Sequence, residues 1–367
     1  MKVTEVHDHI CTMYRSGERQ TSLLIGPPGI GKSAIIAQAA DTLGIAFRAT
    51  PPLPTLEPVD IAGMYDVVRV GDDPARSYAQ RVPFTDIVPT EGTGILVIDD
   101  VTTAVPSTQA SLYGLVHERR VGSAHVGEGW LIVCTSNRAS DNAATHRMPS
   151  PLVSRMEWLQ VEEDFLGWEK YMAGKGASAL VRGYLHNSPQ SFLDFDPERP
   201  DQPFACPRSW EYVARTFDAY ERVGGLGHLP PEPAVAGRVG EAHSLQLMAF
   251  CRANALLVSP DEVFHDPLRA PIPETPGGLF VLLTALANAV RYDTMDALVT
   301  YLDRKGITEE LGLYTARAAI AVDEGRMSRM PADEKDKYAK RQIVHAPAFR
   351  RLSEGRRELF YSVLVGR

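Results

Sequence analysis

An eight-residue segment near the start of the chain constrains its fold more than any other feature. Residues 26–33 read GPPGIGKS, a full match to the pattern GxxxxGK[ST], and they follow the apolar run TSLLI at 21–25. From Lys32 onward, apolar residues recur at helical spacing until Gly44, which supplies a left-handed stop. The pattern therefore predicts a strand, a glycine-rich loop and a helix in succession. This arrangement wraps backbone N–H groups around phosphates.

Each part of this loop has a predicted role in holding a nucleotide. The Lys32 ammonium would neutralise the β and γ oxygens, and the Ser33 hydroxyl would ligate magnesium. The alternative, an accidental glycine turn before a helix, is disfavoured by the strand and helix on either side. The predicted nucleotide-binding residues are Gly26, Pro27, Pro28, Gly29, Ile30, Gly31, Lys32 and Ser33.

Two further apolar runs end in polar residues. GILVI at 94–98 is followed by Asp99 and Asp100, and WLIVCTS at 130–136 is followed by Asn137. Ligands of parallel sheets bind beyond the carboxyl ends of the strands. Asp99 is therefore predicted to hold magnesium, Asp100 to orient or activate the attacking water, and Asn137 to contact that water or the γ-phosphate. Without the loop upstream, the two aspartates would read as a strand cap and the Asn as an ordinary turn residue.

The chain as a whole predicts an α/β fold followed by helices. Strands and helices alternate over the first 160 residues, which favours a parallel sheet sandwiched by helices, with an inserted hairpin at 60–88. After residue 162 helical patterns dominate, and their apolar stripes favour core packing over docking. We predict three domains: a nucleotide-binding domain at 1–163, a small helical lid at 164–225 and a helical C-terminal extension at 226–367.

Composition and charge exclude several classes of protein. Lys plus Arg number 38 and Asp plus Glu 46, so the formal net charge of −8 argues against coating of nucleic acid or an anionic membrane. No apolar run approaches the roughly 20 residues of a membrane span, and the first 20 residues lack the apolar core of a secretory signal. We expect a cytoplasmic protein. The four widely spaced cysteines predict buried thiols rather than a zinc site or disulfides.

These motifs, together with MPSPLVSRME at 148–157 and CPRSW at 206–210, resemble the AAA+ ATPases over about residues 20–225. The similarity is specifically to the MoxR-type branch and its phage and bacterial relatives. It implies a P-loop NTPase sheet, ATP and Mg²⁺ as cofactors, and a ring of identical subunits, a hexamer by family default. It also implies that the hairpins at 60–84 and 117–130 face the axial channel of the ring.

The resemblance assigns roles to three further residues. Asn137 takes the place of the first sensor, Arg155 that of the finger that reaches a neighbouring subunit's nucleotide, and Arg208 that of the second sensor on the lid. A guanidinium suits such roles because it pairs with two phosphate oxygens and keeps its proton. The alternatives are a surface ion pair for Arg155 and an ordinary helix-start residue for Arg208. Arg138 and Arg147 are competing candidates for the finger.

One departure from the family bears on the rate. MoxR-type relatives usually end the acidic strand with Asp-Glu, whereas this chain has Asp99 and Asp100. The shorter Asp100 would sit about one methylene further from the water, and a misplacement of about 1 Å can lower a rate about a hundredfold. We therefore expect slow hydrolysis, although some AAA+ replication initiators also carry Asp-Asp.

The leading hypothesis is a ring-forming AAA+ ATPase with a chaperone-like role, which uses hydrolysis between subunits to remodel a protein partner. By resemblance that partner is a von Willebrand A domain protein. The alternatives are a nucleotide-gated scaffold with slow hydrolysis and, less favoured, a DNA motor or loader. Basic residues at 335–341 and 350–357 predict either a nucleic-acid contact or, preferentially, a solvated face paired with Glu354 and Glu358.

Overall fold

The computed structural model describes residues 1–68, 77–84, 87–141, 145–225, 227–254 and 259–354. The predicted turn at 71–74 and the predicted basic residues Arg356 and Arg357 lie outside these ranges, as does Glu358. The chain divides into two compact units. The first comprises Met1–Asp164 and Phe195–Asp201, and the second comprises the described residues of Phe165–Asp194 and Gln202–Arg367.

Nine strands occur in the described residues, all of them in the first unit. They are β1 (Ser22–Ile25), β2 (Ala46–Ala49), β3 (Met64–Val68), β4 (Tyr78–Val82), β5 (Gly94–Ile98), β6 (Arg120–Val121), β7 (Ala124–His125), β8 (Trp130–Ser136) and β9 (Glu157–Gln160).

Sixteen α-helices occur in the described residues. They are α1 (Val3–Ser16), α2 (Lys32–Leu43), α3 (Pro58–Ala62), α4 (Pro106–Tyr113), α5 (Ser150–Val153), α6 (Phe165–Lys175), α7 (Ala179–Asn187), α8 (Pro207–Gly224), α9 (Glu232–Val239), α10 (Glu241–Asn254), α11 (Pro260–His265), α12 (Pro276–Ala289), α13 (Met295–Leu302), α14 (Glu309–Ser328), α15 (Ala332–Ala339) and α16 (Pro347–Glu354). A π-helical turn, Gly114–Glu118, continues α4.

The first unit is built on a parallel sheet of five strands in the order β2, β5, β8, β1, β9. The three central strands are apolar and buried along their whole length because helices cover both faces. The predicted α/β fold is confirmed. Two antiparallel hairpins, β3–β4 and β6–β7, project from this sheet at the predicted places.

The second unit is helical and has two apolar cores. One core is formed mainly by α6 to α10, and the other by α11 to α14 and α16. The predicted apolar stripes enter these cores: Leu283, Leu286, Leu298 and Leu302 are fully buried. One compact unit therefore contains the predicted extension and most of the predicted lid, of which Phe195–Asp201 belongs to the first unit. The functional division at residue 225 stays a prediction.

The cysteines, the basic residues near the C-terminus and the lengths of the helices can each be compared with the sequence predictions. All four cysteines are buried, as predicted. The basic residues Arg341 and Arg351 lie beside Asp293 and Asp296, so part of the C-terminal basic cluster is paired with acids on the surface. None of the helices in the described ranges is long and apolar enough to cross a bilayer.

Candidate functional site

The strand order brings the sequence motifs to one edge of the sheet. Strand β8 lies between β1 and β5 and pairs in parallel with both. The residues that follow these strands therefore meet at their shared carboxyl edge, where parallel sheets bind ligands. The glycine loop follows β1, the two aspartates follow β5, and Asn137 follows β8 between them.

The glycine loop has a backbone that only glycine adopts readily. Gly29 and Gly31 have φ values of 75° and 104°, and α2 begins directly afterwards at Lys32. Gly26 is required for a different reason, since a Cβ atom there would lie 2.5 Å from the Val161 carbonyl oxygen. The start of α2 adds the N–H groups of its first turn and the positive end of the helix dipole. The loop therefore has the features of an anion-binding cradle.

The Lys32 ammonium is buried within this loop. Its Nζ atom donates to the carbonyls of Gly26 and Pro27 at 2.9 and 3.0 Å, and to Oδ1 of Asn137 at 2.9 Å. Pro28 is half-buried and Ile30 is buried, so these loop residues pack rather than project. The loop after β1 is thereby joined to the end of β8, 105 positions further along the chain.

The metal-binding residues predicted from sequence are also brought together. The Ser33 hydroxyl donates to Oδ1 of Asp99 at 2.9 Å, and the hydroxyl of Thr135 donates to the same oxygen. Hydroxyl and carboxylate oxygens are the hard donors that Mg²⁺ prefers, and protein sites for Mg²⁺ leave further positions to phosphates and water. The residues present therefore fit Mg²⁺ bound together with a nucleotide.

Asp100 and Asn137 also lie together. Nδ2 of Asn137 donates to Oδ1 of Asp100 at 3.4 Å, while the side-chain carbonyl oxygen of Asn137 accepts from Lys32. Asp100 itself is half-buried and has a left-handed backbone with φ of 52°. The single amide of Asn137 therefore bridges the lysine of the loop and the second aspartate.

Comparison with known proteins agrees with this geometry. A family model described as the AAA domain of the dynein-related subfamily matches residues 21–156. Residues 21–156 form an AAA domain. The chain is accordingly an ATP hydrolase that uses ATP and Mg²⁺. The match spans the loop, both sheet-edge motifs and Arg155, and it does not identify the MoxR branch.

Matches among solved structures are at low identity and have low TM-scores. The Thermotoga maritima RuvB Holliday junction branch migration motor is 15% identical, with 73% of this chain and 75% of that chain covered and a TM-score of 0.37. A point mutant of the Thermotoga maritima RuvB protein is 14% identical, with 83% and 84% covered and a TM-score of 0.36. A candidate ATPase from Cytophaga hutchinsonii is 12% identical, with 92% and 89% covered and a TM-score of 0.32. No curated protein matches the sequence.

The structure separates the three arginines of the AAA domain that compete for the finger role. Arg138 forms an ion pair with the buried carboxylate of Asp141, which holds it beside its own loop. Arg147 is exposed, and Arg155 is half-buried and donates to the Pro151 carbonyl at 2.5 Å. Within the described ranges, neither Arg147 nor Arg155 pairs with a carboxylate, whereas Arg138 does. Arg138 is therefore the weakest candidate of the three.

Arg208 lies on the second unit rather than in the AAA domain. It is exposed at the second position of α8, directly after Pro207. Across the described residues it has no carboxylate partner. Its predicted contact with the γ-phosphate stays a prediction.

Sequence reasoning missed one residue at the sheet edge. The hydroxyl of Thr135 accepts from the backbone N–H of Asp100 at 2.9 Å in addition to its bond to Asp99. A signal was present in the sequence, because Thr135 and Asn137 are two residues apart and side chains two apart on a strand share a face. The predicted catalytic role of Asn137 therefore also marks Thr135 as facing the site.

Proposed function

We propose that this chain is a ring-forming AAA+ ATPase that couples ATP binding and hydrolysis at subunit interfaces to the remodelling of a protein partner. In this proposal Asp99 holds Mg²⁺ and Asp100 orients the attacking water. Asn137 senses the γ-phosphate, and Arg155 of one subunit acts on the nucleotide of the next. Arg208 is the second sensor. We further propose a homo-hexamer and a partner of the von Willebrand A type.

The observation that carries the protein partner is the exposed apolar surface of the β3–β4 hairpin. Large apolar side chains on this hairpin are 45 to 66% exposed, and the strand register places Met64, Tyr78 and Val82 on one face and Tyr65 and Val67 on the other. Soluble proteins rarely leave so many apolar side chains exposed together unless they contact another molecule. The hairpin is also held in place, because Gln80 donates to Ser123 of the β6–β7 turn and Gly122 of that turn packs against Arg81. It is therefore a fixed surface suited to an apolar protein segment.

Hydrolysis between subunits is supported by the state of Arg155. A guanidinium stabilises the charge that develops on the transferred phosphoryl group, and it does so from outside the site when a second protein supplies it. Arg155 has no carboxylate partner among the described residues, so its charge is available to such a site. Arg147 has the same property and is the reserve candidate.

The interface is tested by mixing two inactive variants. Lys32→Ala subunits lack the ammonium that binds phosphates but retain Arg155, whereas Arg155→Ala subunits have the opposite defect. In a randomly mixed ring, roughly a quarter of the sites combine an intact loop with an intact neighbouring arginine, so roughly a quarter of the wild-type turnover should return. Arg138→Ala is the matched control and should be active alone. If the mixture stays inactive although both variants are found in the same rings, hydrolysis in trans through Arg155 is wrong.

The partner is tested with the hairpin. Asp100→Asn protein, which should hold ATP without hydrolysing it, is used to capture proteins from the native host, and the captured protein is then purified. That protein should stimulate wild-type turnover, and Tyr65→Ser with Val67→Ser should abolish the stimulation while leaving basal turnover intact. Unaltered stimulation in the hairpin variant would contradict this use of the surface.

The principal alternative is a nucleotide-gated scaffold in which hydrolysis is slow. The observation in its favour is the Asp-Asp pair, since the carboxylate of Asp100 is 3.4 Å from the sensor amide and one methylene shorter than the usual Glu. The two functions differ in turnover when a partner is present, because a scaffold requires assembly but no repeated hydrolysis. DNA binding that weakens steeply with salt would instead favour a DNA motor.

A further inference from the structure

Thr135 lies where the two acidic residues that follow β5 meet the end of β8. It is the sixth residue of β8 and is fully buried. Its hydroxyl donates to Oδ1 of Asp99 and accepts from the backbone N–H of Asp100 at 2.9 Å. The same oxygen of Asp99 accepts from Ser33 at 2.9 Å. One hydroxyl therefore contacts both aspartates and shares an acceptor with the metal-binding serine.

We propose that Thr135 is a positioning residue for ATP hydrolysis, whose hydroxyl fixes the Asp99 carboxylate relative to the backbone of Asp100. The inference rests on the roles proposed above for these aspartates. Thr135 itself touches neither nucleotide nor water in this proposal. It acts by keeping the proposed metal ligand and the proposed water-orienting carboxylate in one fixed geometry.

The backbone of Asp100 shows why such a contact is needed. Its φ of 52° places it in the left-handed region, which costs a residue with a Cβ free energy that contacts with its surroundings must offset. Two residues hold the Asp100 backbone, one at its N–H and the other at its carbonyl. The Thr135 hydroxyl accepts from the Asp100 N–H, and the Thr103 N–H and hydroxyl donate to the Asp100 carbonyl at 2.9 and 2.7 Å. Loss of the Thr135 hydroxyl would remove the acceptor of the Asp100 N–H and so free the peptide group that orients the Asp100 side chain.

The carboxylate of Asp99 depends on the same hydroxyl. A carboxylate with one donor at an oxygen can still rotate about its Cβ–Cγ bond, whereas donors from two elements fix its plane. Ser33 on α2 and Thr135 on β8 supply those two donors. Groups that orient a metal ligand in this way typically change metal affinity or activity by 10- to 100-fold when they are removed.

The test compares three variants of the full-length protein. Thr135→Val keeps the shape of the side chain and removes the hydroxyl, while Thr135→Ser keeps the hydroxyl and removes the methyl group. Thr108→Val is the matched control, because Thr108 is also fully buried in the AAA domain and its hydroxyl donates to the Leu56 carbonyl at 3.1 Å. Thr108 has no part in the proposed site. Four quantities are measured: kcat for ATP, KM for ATP, the dissociation constant of fluorescent ADP in Mg²⁺ and in EDTA, and the melting temperature.

We expect Thr135→Val to lower kcat by about 10- to 100-fold and to lower the gain in ADP affinity that Mg²⁺ provides by about tenfold. ADP affinity in EDTA should stay within about threefold of wild type, because the loop is unaffected. Thr135→Ser should restore both quantities, and Thr108→Val should change neither. A purely structural role would instead move the melting temperature and the EDTA affinity together, without rescue by Ser.

The inference is overturned if Thr135→Val keeps both kcat and the Mg²⁺ effect, or if Thr135→Ser fails to restore them. Asp100→Asn is assayed alongside to separate this result from the parent proposal. Normal turnover in Asp100→Asn would refute the role of Asp100 itself. Lost turnover there together with normal Thr135→Val would refute only the inference.

Discussion

The buried ion pair between Glu169 and Arg182 gives a sharp prediction about the second unit. Glu169 lies on α6 and Arg182 on α7, and Arg182 is 0% exposed. The guanidinium donates to the carboxylate at 2.6 to 3.1 Å and to Asn288 of α12 at 2.8 Å, while Tyr314 of α14 donates to the carboxylate at 3.1 Å. Four helices therefore depend on one pair of charges.

The expected loss of folding free energy follows from the burial of both charged groups. Removing one member of such a pair leaves an uncompensated buried charge, which costs about 3–5 kcal/mol. Arg182→Met should therefore destabilise the unit by about that amount, whereas the double variant Glu169→Gln with Arg182→Met should recover more than half of it, since no charge remains buried. Lys175→Met removes a surface charge beside Glu211 and is the control, with an expected loss below about 1 kcal/mol.

The pH dependence of this contribution has a defined sign. Burial raises the pKa of Glu169, but the charge and hydrogen bonds of Arg182, together with His186 3.7 Å from the carboxylate, outweigh burial and lower the pKa to about 2 from its ordinary 4.5. Because the folded pKa lies below the unfolded one, the stabilisation is complete above pH 4.5 and is lost as the pH falls towards 2. The loss from this group is about 1 kcal/mol between pH 7 and pH 4 and about 3 kcal/mol below pH 2.

Hydrogen exchange measured by mass spectrometry is the suitable assay, because it reports the opening free energy of separate helices. Peptides from α7 and α12 should lose protection in Arg182→Met, while peptides from α2 in the first unit serve as an internal reference. Wild type should lose protection in α7 between pH 7 and pH 4, after correction for intrinsic exchange, and Glu169→Gln should lose less. A change below about 1 kcal/mol in Arg182→Met would refute the reasoning, because a buried unpaired carboxylate must cost more.

Three further predictions concern the AAA domain. Gly26→Ala should lower ATP affinity at least about tenfold, since the new Cβ must displace the Val161 carbonyl or the loop, and titration with fluorescent ATP measures it. Asp100→Glu should raise kcat by up to about a hundredfold in a steady-state assay, and an unchanged or lower kcat would show that the shorter carboxylate is already placed correctly. Lys32→Ala should abolish ATP binding, and retained affinity would contradict the loop's role.

The sequence predicted the elements that carry a strong local pattern. The strands at 94–98 and 130–135 and the helix that starts at Lys32 have uninterrupted apolar runs or a regular stripe, and the structure confirms them. The exposed hairpin β3–β4 was predicted from an interruption of the alternating pattern. In each case the deciding signal lies within a short stretch of chain.

Elements whose pattern depends on distant partners were missed. Strand β9 has the polar residues Glu157 and Gln160 because it lies at the edge of the sheet, so it lacks an apolar run. Helix α14 is buried on several sides and includes a buried Asp323, so it shows no single apolar stripe. Asp323 accepts from Tyr338 and from the backbone N–H of Ile343. Only the fold reveals those partners.

The candidate site also depends on contacts between distant parts of the chain. The order of the motifs along the chain is compatible with β5 or β8 as the neighbour of β1, and the two arrangements give different sites. With β8 in the middle, Asn137 contacts both Lys32 and Asp100 through one amide. Because an amide is planar and its two ends move together, a rotation that breaks the contact with Lys32 must also shift the group that faces Asp100. Because β8 is in the middle, the Asn137 side chain connects Lys32 of the glycine loop to the carboxylate that we propose orients the water.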